Sequence, residues 1–213
     1  MLDVLDSKIL ECVGKDNPED ELIQIYIDFW TALKERVGTS RGFTGLSEYV
    51  FFRYVIGFVD KQLGVKLTPQ QCTKETCVFE SQSLLVTRDV WLSQFDASAP
   101  KQKSDIAIFT RADETTHWRL ASVFEIKVGI TGPVKLSETF ERMNMLLGSS
   151  QAFAFLIIFN SLNSGPQYRV ALDHFCSDWS GRAFVISKTY PSGARYGSRI
   201  SLNEALDRSL TAS

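Results

Sequence analysis

Three side chains near the middle of the chain have the types and spacing to do chemistry together: Asp105, Glu125 and Lys127. They lie in the stretch Lys103–Gly129, KSDIAIFTRADETTHWRLASVFEIKVG, which reads as two strands joined by a charged loop. Alternate side chains of a strand share a face, so Glu125 and Lys127 point one way and Ile126 the other. Antiparallel pairing about a turn near Ala112–Thr116 brings Asp105 beside them. Two carboxylates held that close repel, and retain a proton unless a cation sits between them. Mg²⁺ or Mn²⁺ suits such a place, since a hard divalent cation takes one or two carboxylates and keeps several waters. On this reading Asp105 and Glu125 are metal ligands, with the Ile126 backbone carbonyl as a further oxygen. Lys127 orients an attacking water and stabilises developing negative charge. Glu125 follows Leu120–Phe124, which reads as a central strand, and a charge at the end of a buried strand needs partners or a task.

The segments on either side must hold these residues in place. Residues 2–13 set Leu2, Leu5, Ile9 and Cys12/Val13 at helical spacing, and Asp16-Asn17-Pro18 ends the pattern. Glu19–Val37 reads as a second helix, with Leu22, Ile25/Tyr26, Phe29/Trp30, Leu33 and Val37 as its buried stripe. A third helix, from Leu46 to about Leu63 and closed by Gly64, buries Phe52, Val55/Ile56, Val59 and Leu63. Glu48 stands one turn before Phe52 on the same face. It either favours the helix N-terminus, as acids commonly do, or reaches the metal site.

Val65–Thr76 reads as polar connection, Cys77–Val86 as a first strand, and Asp89–Gln102 as a loop. The two key strands follow, Ser104–Thr110 and Trp118–Lys127. Val134–Leu147 is a helix with Leu136, Phe140, Met143 and Leu147 at core spacing. Gln151–Asn160 is a nearly unbroken apolar run, as in a parallel strand buried on both faces. Pro166–Asp178 then reads as a helix, Gly181–Lys188 as a strand and LNEALDRSL as a short amphipathic helix.

Asp105, then Glu125-Ile126-Lys127 about twenty residues on at the end of an apolar strand, resembles the PD-(D/E)xK nuclease superfamily, with Ser104 where the family's Pro stands. The resemblance covers roughly Gly45–Asn160. It implies an α/β fold with a restriction-endonuclease-like core, ordered helix, three-stranded meander, helix and strand, here carrying extra N-terminal helices. Residues 1–40 are then a helical extension packed on the core, and 41–213 the nuclease-like domain. It further implies a Mg²⁺-dependent phosphodiesterase acting most naturally on DNA. In many members a Glu on the helix before the meander reaches the metal, which gives Glu48 that role. Gln151 would contact the site from the next strand.

Composition sets limits on this reading. Hydrophobic residues make up 44% and charged residues 23% of 213, a globular balance with room for one sizeable core. With 23 Lys+Arg against 25 Asp+Glu there is no global basicity, so a nucleic-acid site must be a local patch. Its candidates are Arg41, Lys101, Lys103, Arg195 and Arg199, the last two on the Gly-rich loop YPSGARYGSR. The N-terminus has no basic region followed by an apolar core, so no signal peptide is expected. The longest apolar run, Ala152–Phe159, is too short to span a bilayer. A cytoplasmic protein without membrane contact is expected. Cys12, Cys72, Cys77 and Cys176 then read as free thiols. A zinc site using Cys72-x4-Cys77 with His117 or His174 would need an unusual spacing.

A restriction-type enzyme would act as a homodimer, cutting both strands with two copies of the site. A chain of this size also suits a subunit of a larger assembly. Two other classes fit the same sequence. One is a catalytically silent domain that binds nucleic acid or protein, and the other is an unrelated α/β structural protein that assembles through its N-terminal helices.

Overall fold

A computed structural model of the chain describes residues 2–38, 45–73, 76–128, 133–158, 166–187 and 201–211. Helices α1 (Leu2–Glu11), α2 (Pro18–Val37) and α3 (Leu46–Gln62) come first, followed by strands β1 (Thr68–Cys72), β2 (Cys77–Glu80), β3 (Leu84–Trp91), β4 (Lys103–Thr110) and β5 (Arg119–Lys127). Helix α4 (Pro133–Ser149), β6 (Phe153–Ile158), α5 (Pro166–Asp178), β7 (Ala183–Ser187) and α6 (Leu202–Thr211) complete the order. Among the described residues the fold is α/β, with six α-helices around a seven-stranded mixed sheet. Strands β1 to β5 are antiparallel neighbours, and β6 and β7 add in parallel after helical crossovers.

Local chemistry sets the helix ends. Pro18 opens α2, Glu19, Asp20 and Glu21 crowd its first turn, and Gly38 closes it at φ 72° with its N–H on the Lys34 carbonyl. Helix α3 is buried beyond the one stripe its periodicity suggests, since Val50, Phe51, Tyr54 and Phe58 are also covered. It lies between the sheet and the other helices. At Gly57 a Cβ would stand 2.4 Å from Leu10 Cδ2, which is how closely α1 crosses it. The second half of α2 is less covered than expected: Phe29, Trp30 and Leu33 are half-buried and Val37 is exposed.

Two apolar layers flank the sheet. On one face Phe124, Phe155 and Phe184 stack across β5, β6 and β7, with centroids 4.5 and 5.2 Å apart, in the cluster that includes Phe51, Val55, Leu5 and Leu206. On the other, Val123, Leu156 and Val185 meet Leu136, Phe140, Met143 and Leu147 of α4 and Phe175 of α5. Both faces of β5 and β6 are therefore dry, as their unbroken apolar runs suggest. Among the described residues no helix is long and apolar enough to cross a membrane.

The sheet departs from the sequence reading at its first edge. Cys77–Val86 is not one strand: Ser81–Ser83 turn the chain, with Ser81 Oγ accepting from the Leu84 N–H at 3.0 Å, so β2 and β3 form a hairpin. The segment read as polar connection contains β1, whose five residues are all exposed. Its register sets Cys72 opposite Cys77, and the two form a disulfide across 4.2 Å between Cα atoms. The expectation of four free thiols is corrected by this pairing, and so is a zinc site at these two cysteines. Cys12 and Cys176 are free and buried.

Candidate active site

The β4–β5 register positions the chemistry. Ile106 pairs with Phe124, which places Asp105 next to Glu125 at the end of the sheet where β5 finishes. Glu125 is buried within a strand that is covered along almost its whole length, while Lys127 stands at the open end. A carboxylate in that position needs partners, and it has two. Lys127 Nζ donates to Glu125 Oε1, and Arg142 Nη2 of α4 donates to Oε2 at 3.0 Å. Arg142 also donates to the Lys103 carbonyl at 3.3 Å.

Asp105 is anchored differently. Its Oδ2 accepts the Ile126 N–H at 2.6 Å. Burial, and then the Glu125 charge, push its carboxyl up to about 7, against the opposing pull of the Ile126 N–H and Lys127. Ile126 enters the site through this N–H, while its side chain packs on the opposite face among the core residues. Glu48, in the first turn of α3, is half-buried, and burial raises its carboxyl while Arg88 of β3 opposes the rise. It also feels the charges of Asp89, Lys127 and Glu125. Its Oε2 lies 3.8 Å from where Gly45 would carry a Cβ, so the side chain folds back toward the start of its helix. Glu48 thus sits as an acid in the first turn of α3, within reach of the charges of Lys127 and Glu125.

The remaining residues singled out from the sequence divide sharply. Lys101 and Lys103 are exposed at the same end of the sheet, and Lys103 Nζ lies 3.2 Å from Asp89 Oδ1. Gln151 is not brought to the site. It is exposed just before β6, at the end where Ser122 pairs with Phe153, whereas Glu125 pairs with Leu156 near the strand's far end. The parallel direction of β6 causes this, because its first residues lie beside the first half of β5. Arg41, Arg195 and Arg199 lie outside the described residues.

Sequence reasoning missed two neighbours. Arg142 sits on a helix surface where a charged residue is ordinarily solvated, and only its spacing from Met143, anchored in the core, hints that it reaches β5. Asp89 adopts φ 51°, between Arg88 and Val90, which pair with Ile106 and Ser104. A non-glycine residue held there beside Asp105 marks the kind of local strain that gathers at functional sites.

Among the described residues no three or more His, Cys, Asp or Glu side chains come together as a ready metal cage. The donor set is two carboxylates, one with its proton affinity raised and one held by two cations. A divalent cation fits that set, replacing the proton on Asp105 and the guanidinium on Glu125. With or without one, the arrangement offers a group that titrates near neutrality beside cations suited to an anionic substrate. No protein-family model matches the chain, and no curated protein matches it.

Proposed function

We propose that this protein is a metal-dependent nuclease that hydrolyses phosphodiester bonds, with DNA favoured as substrate. The observation that carries the reading is the pairing of Asp105 with Glu125 at the end of a buried strand, with Lys127 gripping Glu125 from the same face. Element order adds support. After α3 and the edge strands β1 and β2 comes the antiparallel run β3–β4–β5, then α4, then β6 parallel to β5. We read this as the restriction-endonuclease-like core that the PD-(D/E)xK resemblance implies, with β3 as its first strand and β1 and β2 as additions at the sheet edge.

Asp105 and Glu125 would hold Mg²⁺ or Mn²⁺, with Glu48 acting on it through charge. Such a cation, when bound, supplies an acidified water and offsets charge on the phosphate. Lys127 positions the attacking water and stabilises the charge that grows on the phosphate oxygens. Lys101 and Lys103 lie where a nucleic-acid backbone would approach, and phosphate contacts of this kind fix register without reading sequence.

The engagement of both Glu125 oxygens by Lys127 and Arg142 also favours a second reading, a nuclease-fold module that binds nucleic acid or protein without cutting. One experiment separates the two. Plasmid, single-stranded DNA and RNA are incubated with Mg²⁺, Mn²⁺ or EDTA, using wild type and Lys127→Ala. The nuclease reading expects metal-dependent cutting that falls by about 10²–10³-fold in the variant. Absence of both cutting and metal binding would overturn it, and nucleic-acid binding without cutting would support the module.

A further inference from the structure

Resting on the nuclease reading, we propose that Arg142 is a displaceable counter-ion of Glu125: it occupies the carboxylate until a divalent cation takes its place, and then offers its guanidinium to a substrate phosphate. The two cations on Glu125 are held in different ways. Lys127 is two residues away on the same strand and the same face, so its ammonium stays near the carboxylate whatever else binds. Arg142 arrives from α4, on a helix fixed by buried Phe140 and Met143, and its own side chain is 47% exposed. Besides Glu125 Oε2 at 3.0 Å, it donates to the Lys103 carbonyl at 3.3 Å. Half-exposed, the guanidinium can swing into solvent once another cation takes over Glu125 Oε2. A divalent cation on Glu125 would repel it and remove its acceptor.

The direction of release matters. Arg142 touches the backbone of Lys103, and Lys103 and Lys101 are exposed at that end of the sheet. A freed guanidinium there stands half in solvent beside the Lys103 backbone. Its planar fork matches phosphate oxygens bidentately in a way an ammonium does not. Arg142 would thus weaken metal binding in the free protein and strengthen substrate binding once metal is in place. It would itself touch the substrate phosphate, and the two effects have opposite signs.

The test is Mn²⁺ binding by calorimetry, without substrate, for wild type, Arg142→Gln, Arg142→Lys and Asp105→Asn. Melting temperature serves as the check on folding. Arg142→Gln should bind Mn²⁺ about tenfold more tightly than wild type, while its affinity for a short DNA duplex in Ca²⁺ falls about tenfold. Arg142→Lys, which keeps the charge but not the fork, should keep Mn²⁺ affinity near wild type and still lose duplex affinity. Unchanged or weaker Mn²⁺ binding in a folded Arg142→Gln protein overturns the inference, as does unchanged duplex binding. If wild type binds no Mn²⁺, or Asp105→Asn binds it equally well, the metal site fails and takes this inference with it. A functional wild-type site with no effect at Arg142 refutes the inference alone.

Discussion

The N–H of Ile126 donates to Asp105 Oδ2 at 2.6 Å, so the carboxylate of β4 is tied to β5 one residue beyond Glu125. Sheet register thus fixes the distance between the two acids, with no loop involved. The bond favours the ionised form of Asp105, while burial and Glu125 oppose it more strongly and leave the group near 7.

This conflict makes stability depend on pH. An Asp carboxyl that titrates near 3.8 in the unfolded chain and near 7 in the fold binds more protons when folded between those values. Stability therefore falls as pH rises from about 4 to about 7 and loses nothing further from this group above that. Asp105→Asn removes the titration and keeps an acceptor for the Ile126 N–H. In EDTA the variant should melt above wild type at pH 8 and level with it at pH 4. Equal melting at pH 8 would contradict a burial cost on the Asp105 charge.

Divalent cations should reverse the ranking. A ligand that binds only the folded state stabilises it by about 2.7 kcal/mol at one hundred times its Kd. Saturating Mn²⁺ at pH 8 should therefore raise the melting temperature of wild type. Asp105→Asn and Glu125→Gln should show no such rise. A similar rise in all three proteins would place the cation elsewhere.

The aromatic stack is the clearest place to damage the core. Phe155 is fully buried between Phe124 and Phe184, at 4.5 and 5.2 Å. Phe155→Ala should cost about 3–5 kcal/mol, read as a lowered urea midpoint with an unchanged slope. A loss below about 1 kcal/mol would mean the neighbouring rings collapse into the gap.

The Cys72–Cys77 disulfide has a chemical signature. Unfolded without reductant, the chain should be alkylated at Cys12 and Cys176 alone, and at all four cysteines after reduction. The loop is short, so Cys72→Ser should cost only about 2 kcal/mol by loop entropy. Alkylation at four positions without reductant would remove the cross-link from the structure.

Where the sequence was legible, a strong physical pattern stood behind it. The apolar runs through Phe124 and Phe155 betray strands covered on both faces, and Leu136, Phe140, Met143 and Leu147 turn the right side of α4 inward. Alternation along β5 was enough to put Glu125 and Lys127 together. Strand β1 was invisible because Thr-Pro-Gln-Gln-Cys is polar and exposed, held by pairing and not by burial. The Ser81–Ser83 turn was hidden in a run whose residues also suit one strand. Gln151 was misplaced because proximity in sequence to β6 says nothing about which end of a parallel strand lies at the site. Arg142 escaped because its partner is on another element, and its place beside core-facing Met143 is a faint hint of that meeting.

The spatial order of the strands is also their order along the chain. A nascent polypeptide can therefore pair each strand with the one synthesised just before it, at small loop-closure cost. Contacts of α6 run against this trend. Ser122 Oγ donates to Ser209 Oγ at 2.7 Å, and the Leu202 N–H reaches Glu19 Oε2 at 3.4 Å, joining parts of the chain made far apart in time. Synthesis would thus deliver β4 and β5, with Asp105 and Glu125 already adjacent, well before α6 is available to cover the apolar layer beside them.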